Sequence, residues 1–270
     1  MLNIRCFLMT VSFFLICNND FAQTKDTASL PKVVVDSVKK ELKAPVKRTP
    51  IDFRDAIVPT VFIAYGVAAL FKGPLNKFNY FVQDEIYLDG NHKKVPYDNY
   101  ILAAPVVTVY ALNIAGIHGK NNLIDRSAIF GIANLIGNGG GFLIKNFSHV
   151  LRPDSSDKFS FPSGHTFNAF LGSEFLMQEY KEKSIWIGIA GHAVAATTGY
   201  LRIYNDKHWF NDVIAGAGLG IISTKIAYWT YPTIKHIFFK TKTVKTVLLP
   251  TYQDGYYGFT LTHYFTPQEL

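Results

Sequence analysis

From Asp52 onward the apolar positions recur with the three-to-four-residue spacing of an amphipathic helix. They predict helices near 53–71, 99–117, 123–145, 165–180, 184–201 and 209–230. Asp98 or Asn99 stands where the second needs an N-terminal cap, and Asn122 where the third needs one. Between the first two helices runs a long polar loop marked by Gly73-Pro74, Asp89-Gly90 and Pro96. Gly137, Gly139, Gly140 and Gly141 fall inside the third helix, where they predict close helix packing or a local bend. After Lys240 the period changes to two. Tyr256, Gly258, Thr260, Thr262 and Tyr264 alternate with Tyr257, Phe259, Leu261, His263 and Phe265, after an Asp254-Gly255 turn signal. The pattern predicts an all-α six-helix bundle with a short C-terminal β-hairpin.

The stretch ahead of the first helix has two parts. Residues 1–23 read as a secretory signal, with Arg5 before an apolar run and Phe21-Ala22-Gln23 as the cleavage region. Cys6 and Cys17 both lie in this leader, so the mature chain would have no disulfide and no thiol catalysis. Residues 24–50 are polar, lysine-rich and broken by Pro31, Pro45 and Pro50, which predicts a flexible tether. A helical domain then covers 51–232, and a basic tail with the hairpin covers 233–270.

Composition sharpens this picture. The chain is 49% apolar and 17% charged, with a mean hydropathy of +0.12; an average soluble domain carries about 25% charge. The net charge of +7 suits anionic phosphate substrates and anionic lipid surfaces. No basic run with interleaved aromatics points to nucleic acid.

The chemistry is concentrated in KNFSHVLRP (Lys145 to Pro153), FPSGHT (Phe161 to Thr166) and RIYNDKHWFND (Arg202 to Asp212). Lys145, Arg152, Ser163, His165, Arg202, His208 and Asp212 supply three cations, two imidazoles, a hydroxyl and a carboxylate among otherwise apolar helices. Phosphoryl transfer needs that combination. Cations neutralise the equatorial oxygens, one imidazole attacks phosphorus, and another protonates the departing oxygen. Asp212 follows His208 by four residues, which on the first turn of the sixth helix places both on one face. Asp212 then accepts from one imidazole nitrogen and leaves the other aimed at phosphorus. No set of Cys, His and carboxylates has structural-metal spacing, which predicts a metal-independent mechanism with no cofactor. His149 is a candidate to line the site, and His192 reads as a core histidine.

These residues carry a resemblance. Lysine, six residues and Arg-Pro, then Pro-Ser-Gly-His, then arginine, five residues, histidine, three residues and aspartate resemble the three signatures of the type 2 phosphatidic acid phosphatase and vanadium haloperoxidase superfamily. Leu201 stands where that family usually has serine, and the spacer from Pro153 to Pro162 is short. The resemblance covers roughly 50–230 and implies the helical bundle of that family. It implies His208 as nucleophile through a phosphohistidine, and His165 as general acid and then base. Ser163, the backbone N–H of Gly164, Lys145, Arg152 and Arg202 would bind phosphate.

The implied activity is hydrolysis of a phosphomonoester or diphosphate, with a lipid phosphate (phosphatidic acid, undecaprenyl diphosphate or a lipid A phosphate) as the expected substrate. A soluble periplasmic acid phosphatase of broad specificity is the alternative. A vanadate haloperoxidase and a non-catalytic lipid-binding membrane protein are more distant ones. No obligate protein partner is implied. The expected location is the bacterial envelope, on the periplasmic side. A cut leader with six full spans would put the site in the cytoplasm, so either one helix fails to cross or the bundle sits peripherally on the membrane. Most apolar runs are shorter than the roughly 20 residues of a clean span.

Overall fold

The computed structural model describes residues 52–88, 93–239, 246–253 and 256–263, with positions 37, 40 and 41. The leader and nearly all of the predicted tether lie outside the described residues, as does the Asp254-Gly255 turn.

Eight helices occur among the described residues, against six expected: α1 (Ile57–Ala68), α2 (Pro74–Gln83), α3 (Asp98–Ile101), α4 (Ala104–Ile114), α5 (Leu123–Ser148), α6 (Gly164–Tyr180), α7 (Ile185–Tyr204) and α8 (Phe210–Phe239). A 3-10 turn, Phe53–Ala56, leads into α1, and Asp52 caps it by accepting from the Arg54 N–H at 2.9 Å. The predicted loop between the first two helices holds α2, which begins at Pro74 and runs into a π turn, Asp84–Leu88. Proline lacks an N–H, so it fits a helix start. The same chemistry divides the predicted 99–117 helix: Pro105 cannot donate to the Ile101 carbonyl, and α4 restarts beside it. Neither Asp98 nor Asn99 is a cap, because Tyr97 holds that position.

Asn122 does cap α5, accepting from the Asp125 N–H at 2.8 Å. That helix runs unbroken through its glycines and stops where His149 turns left-handed, at φ 48°. α8 passes through Pro232 to Phe239, beyond both its predicted end and the predicted domain boundary. Farther on, β1 (Thr246–Gln253) and β2 (Tyr256–His263) pair antiparallel, from Thr246 opposite His263 to Gln253 opposite Tyr256.

The core is centred on α6. Its Phe167, Leu171, Phe175 and Tyr180 pack with Val109 of α4, Ile129 of α5 and Tyr228 of α8. α8 reaches α6 closely because it has no side chain at two points. A Cβ at Gly216 would stand 2.7 Å from the Ser163 carbonyl oxygen, and one at Gly220 would stand 2.4 Å from that of Phe167. At the C-terminal end of α6, buried Glu179 accepts from Arg126 Nε at 3.2 Å, Asn121 Nδ2 at 2.6 Å and the Tyr228 hydroxyl at 2.6 Å. With each ion hydrogen-bonded, the buried pair escapes the full desolvation cost. This polar tie fixes the end of the bundle away from the His165 end of α6.

Candidate active site

The ends of α5, α6, α7 and α8 bring the charged residues together around His208. This residue lies in the link before α8, not on its first turn as expected. Asp212 is in that turn and reaches back, its Oδ2 accepting from the Trp209 N–H at 3.0 Å. A carboxylate three residues past the cap that accepts the cap's N–H resembles one half of a capping box. The same Oδ2 lies 3.6 Å from His208 Nδ1 and accepts from the Ser160 hydroxyl at 2.5 Å. Ser160 Oγ stands 3.4 Å from Nδ1 as well. Asp212 and Ser160 thus hold one nitrogen of the ring.

The other nitrogen faces a cation. His208 Nε2 lies 3.4 Å from Arg152 Nη1, which also donates to the Lys207 carbonyl at 3.3 Å. Arg152 Nε donates to Asp157 Oδ1 at 2.8 Å, which fixes the guanidinium plane. Burial, followed by the charges of Arg152, Arg202, Lys145 and His165, drives the His208 imidazole well below its ordinary pKa. Its Nε2 therefore keeps a lone pair at neutral pH.

Lys145 comes from the last turn of α5 and donates to the Phe159 carbonyl at 2.7 Å. Arg202 is buried and donates through Nη1 to Asp98 Oδ2. Its Nε is also buried, without a partner among the described residues. Leu201, at the family's usual serine position, gives its carbonyl to the Asn205 N–H at 2.9 Å, and Arg202 still reaches the cluster.

His165 starts α6, and its Nε2 lies 2.8 Å from Asn99 Oδ1. The Asn99 amide nitrogen donates to Pro96 O at 3.2 Å, so its oxygen faces the ring and His165 Nε2 carries the proton. Burial, followed by Arg202, pushes the His165 pKa down to about 4; Asp98 opposes this shift. Ser163 is buried and caps α6, its Oγ accepting from the Thr166 hydroxyl at 3.0 Å, while its N–H donates to the Asp212 carbonyl at 3.0 Å. A Cβ at Gly164 would meet no atom within 4 Å, so the space beside it is open.

The structure gathers Lys145, Arg152, Ser163, Gly164, His165, Arg202, His208 and Asp212 at one end of the bundle. The His149 ring lies by Phe159, with centroids 6.4 Å apart. His192, expected in the core, is half-buried and lines a cavity, bonded to the Gly188 carbonyl at 3.0 Å and paired with Glu174 at 3.4 Å. Ser160, Asp157, Asp98 and Asn99 join the site without having been expected there. A separate cavity of about 900 Å³ lies between α1 and α7, with Val58, Phe62, Ala193 and Tyr200 on its walls and Phe210 and Val213 of α8 at its base.

Residues 127–235 match the profile of the PAP2 superfamily. The chain is 31% identical over 165 residues to a lipid A 1-phosphatase of Porphyromonas gingivalis, an alignment covering 61% of this chain and 36% of that protein. It is 35% identical over 79 residues to an undecaprenyl-diphosphatase of Sulfolobus acidocaldarius, covering 29% of this chain and 36% of the relative. The chain thus spans about a third of the length of these two relatives. A transmembrane PAP2-type phosphatidylglycerolphosphate phosphatase of Bacillus subtilis aligns over 72% of this chain and all of its own, with 18% identity and a TM-score of 0.42.

Proposed function

Residues 127–235 are a PAP2 superfamily domain, and from that premise we propose that this chain is a phosphatase removing phosphate from a lipid phosphate or diphosphate. The observation that carries the reading is the two-sided seating of His208, with Asp212 and Ser160 at Nδ1 and Arg152 at Nε2. A histidine held in this way is a directed nucleophile.

In the first step the Nε2 lone pair attacks phosphorus, and the bond from phosphorus to the lipid oxygen breaks. Asp212 stabilises the charge that develops on the ring. His165 holds one proton on Nε2 toward Asn99, so in its protonated form Nδ1 gives the second proton to the departing oxygen. A phosphate dianion among Arg152, Arg202 and Lys145 offsets the charges that depress the His165 pKa, which favours that acid form. In the second step water loses a proton to His165 Nδ1 and attacks the phosphohistidine. The N–P bond breaks, and inorganic phosphate and free His208 result. Arg202 Nε supports the binding mode, because an unpaired buried donor is costly unless an oxygen accepts from it. The chain's own residues supply every step, with no metal or cofactor.

The lipid reading rests on the outer surface. Helices α5 and α8 are long and apolar enough to cross a membrane, and only 17% of the apolar window of α5 is buried. Its Leu135, Phe142, Leu143 and Phe147 face outward. An exposed apolar area of this kind marks a contact with lipid or protein. The cavity between α1 and α7 offers apolar volume for a tail. A membrane-associated enzyme is the reading that fits these surfaces.

The test compares kcat/KM for a long-chain lipid phosphate and for p-nitrophenyl phosphate in matched detergent. Preference for the lipid by a hundredfold, about 2.7 kcal/mol of transition-state binding, is the expected result. Equal or better use of the soluble ester overturns the lipid assignment and leaves a general phosphatase.

A further inference from the structure

Helix α2 is built inside out. Its polar residues Asn79 and Gln83 are buried, while Leu75, Phe78, Tyr80 and Phe81 are 41%, 43%, 52% and 55% exposed. A helix packed on a protein in water turns its apolar stripe inward. Here hydrogen bonds fix the opposite orientation. Asn79 Oδ1 accepts from the Asn211 N–H at 3.2 Å, Asn79 Nδ2 donates to the Ala69 carbonyl at 3.4 Å, and Gln83 Nε2 donates to Asp206 Oδ1 at 2.5 Å. The apolar surface continues through exposed Phe71 to Val67 of α1. Lys72 and Lys77 are exposed beside it.

We propose that α2 lies in the interfacial layer of a phospholipid bilayer, with Leu75 and Phe81 in the acyl boundary and Lys72 and Lys77 among anionic headgroups. Exposed aromatics beside lysines are the usual equipment of a helix lying in that plane. The inference rests on the membrane part of the proposed function and adds a surface to it.

The placement bears on the chemistry through the contacts of α2. Gln83 holds Asp206; the Tyr80 ring meets that of Trp209 edge-on with centroids 5.0 Å apart; Phe78 meets Phe210 at 5.6 Å; and Asn79 holds Asn211. These four contacts bracket His208 on both sides. The depth of α2 in the interface thereby sets the height of the nucleophile above the acyl chains, where a lipid phosphate would present its phosphorus.

The test uses the full chain with Cys6 and Cys17 changed to serine, reconstituted in phosphatidylethanolamine–phosphatidylglycerol vesicles. An environment-sensitive fluorophore is attached at Phe81→Cys, at Leu75→Cys as a second α2 position, or at Leu135→Cys on α5. The expected result is a blue-shifted emission at all three positions, quenched by doxyl-labelled lipids and shielded from aqueous iodide. Lipid quenching at Leu135 with iodide quenching at both α2 positions overturns the α2 assignment and leaves the membrane reading intact. Iodide quenching at all three positions overturns both.

Discussion

Arg202 donates through Nη1 to Asp98 Oδ2, a buried pair that joins α7 to the short helix α3 across 104 positions of the sequence. Removal of one partner from such a pair leaves an uncompensated buried charge. Asp98→Ala is expected to lower stability by about 3–5 kcal/mol, read as a fall in the thermal midpoint in detergent. Asp98→Asn, which keeps an acceptor, is expected to lose less. An unchanged midpoint in the alanine variant removes Asp98 as the anchor of Arg202.

His208→Ala is expected to abolish turnover and phosphoenzyme formation while the helical circular dichroism persists. His165→Ala is expected to lower kcat by about 10²–10⁴-fold. With p-nitrophenyl phosphate, whose leaving group needs little protonation, it is expected to accumulate an acid-labile phosphoenzyme, because attack proceeds and the base for water is missing. A tenth of the wild-type rate in His208→Ala excludes the covalent route.

Ser160→Ala tests a residue that no motif announced. It deletes the hydroxyl that donates to Asp212 and lies by His208 Nδ1. Loss of one hydrogen bond to a charged group costs about 1.5–3 kcal/mol, or roughly ten- to a hundredfold in kcat, with KM little changed. A change in KM alone assigns the hydroxyl to substrate binding.

The pH profile follows from the sign of the His208 shift. Its pKa is driven down, chiefly by burial and then by Arg152, so the neutral, nucleophilic ring persists as the pH falls through 6.5. With p-nitrophenyl phosphate, whose leaving group needs little protonation by His165, the rate of phosphoenzyme formation in a single turnover is expected to stay level between pH 7.5 and 6.5 and to decline only below the ordinary histidine range. A decline centred at 6.5 would place the nucleophile in a water-like environment. Arg152→Gln removes one of the charges that depress the ring, and its acid limb is expected to move upward.

The proposed chemistry uses no metal, so EDTA is expected to leave turnover unchanged, whereas orthovanadate competes with substrate. Loss of activity to chelator, restored by Mg²⁺ or Zn²⁺, contradicts the steps assigned to His208 and His165.

The cationic cluster was legible because fixed short spacings place its members at adjoining helix ends. Its supports were not. Asp98, Asn99 and Ser160 act through contacts that leave no periodic trace, the first with a residue 104 positions away. Asp98 and Asn99 read as caps because a polar residue before an apolar run has the same local signature in either role. α2 was hidden by its inverted polarity, which reads as a broken polar loop when the apolar face is assumed to point inward. α8 outruns the end its pattern predicts because Pro232 lies near the C-terminus of a long helix, where the bundle tolerates it. His208 falls two residues short of α8, so its partnership with Asp212 comes from a carboxylate reaching back across a cap and not from two side chains on one helical face.

The approach of Gly216 to the Ser163 carbonyl has a consequence for how this site tolerates change. Contact between main chains, with no side chain interposed, joins the start of α6, which carries His165, to the helix that follows His208. The separation of the proposed acid and nucleophile is then a property of the two backbones. Drift in the surrounding apolar residues leaves it unaltered, and sequences that differ widely in their cores can keep the same catalytic spacing as long as position 216 stays bare.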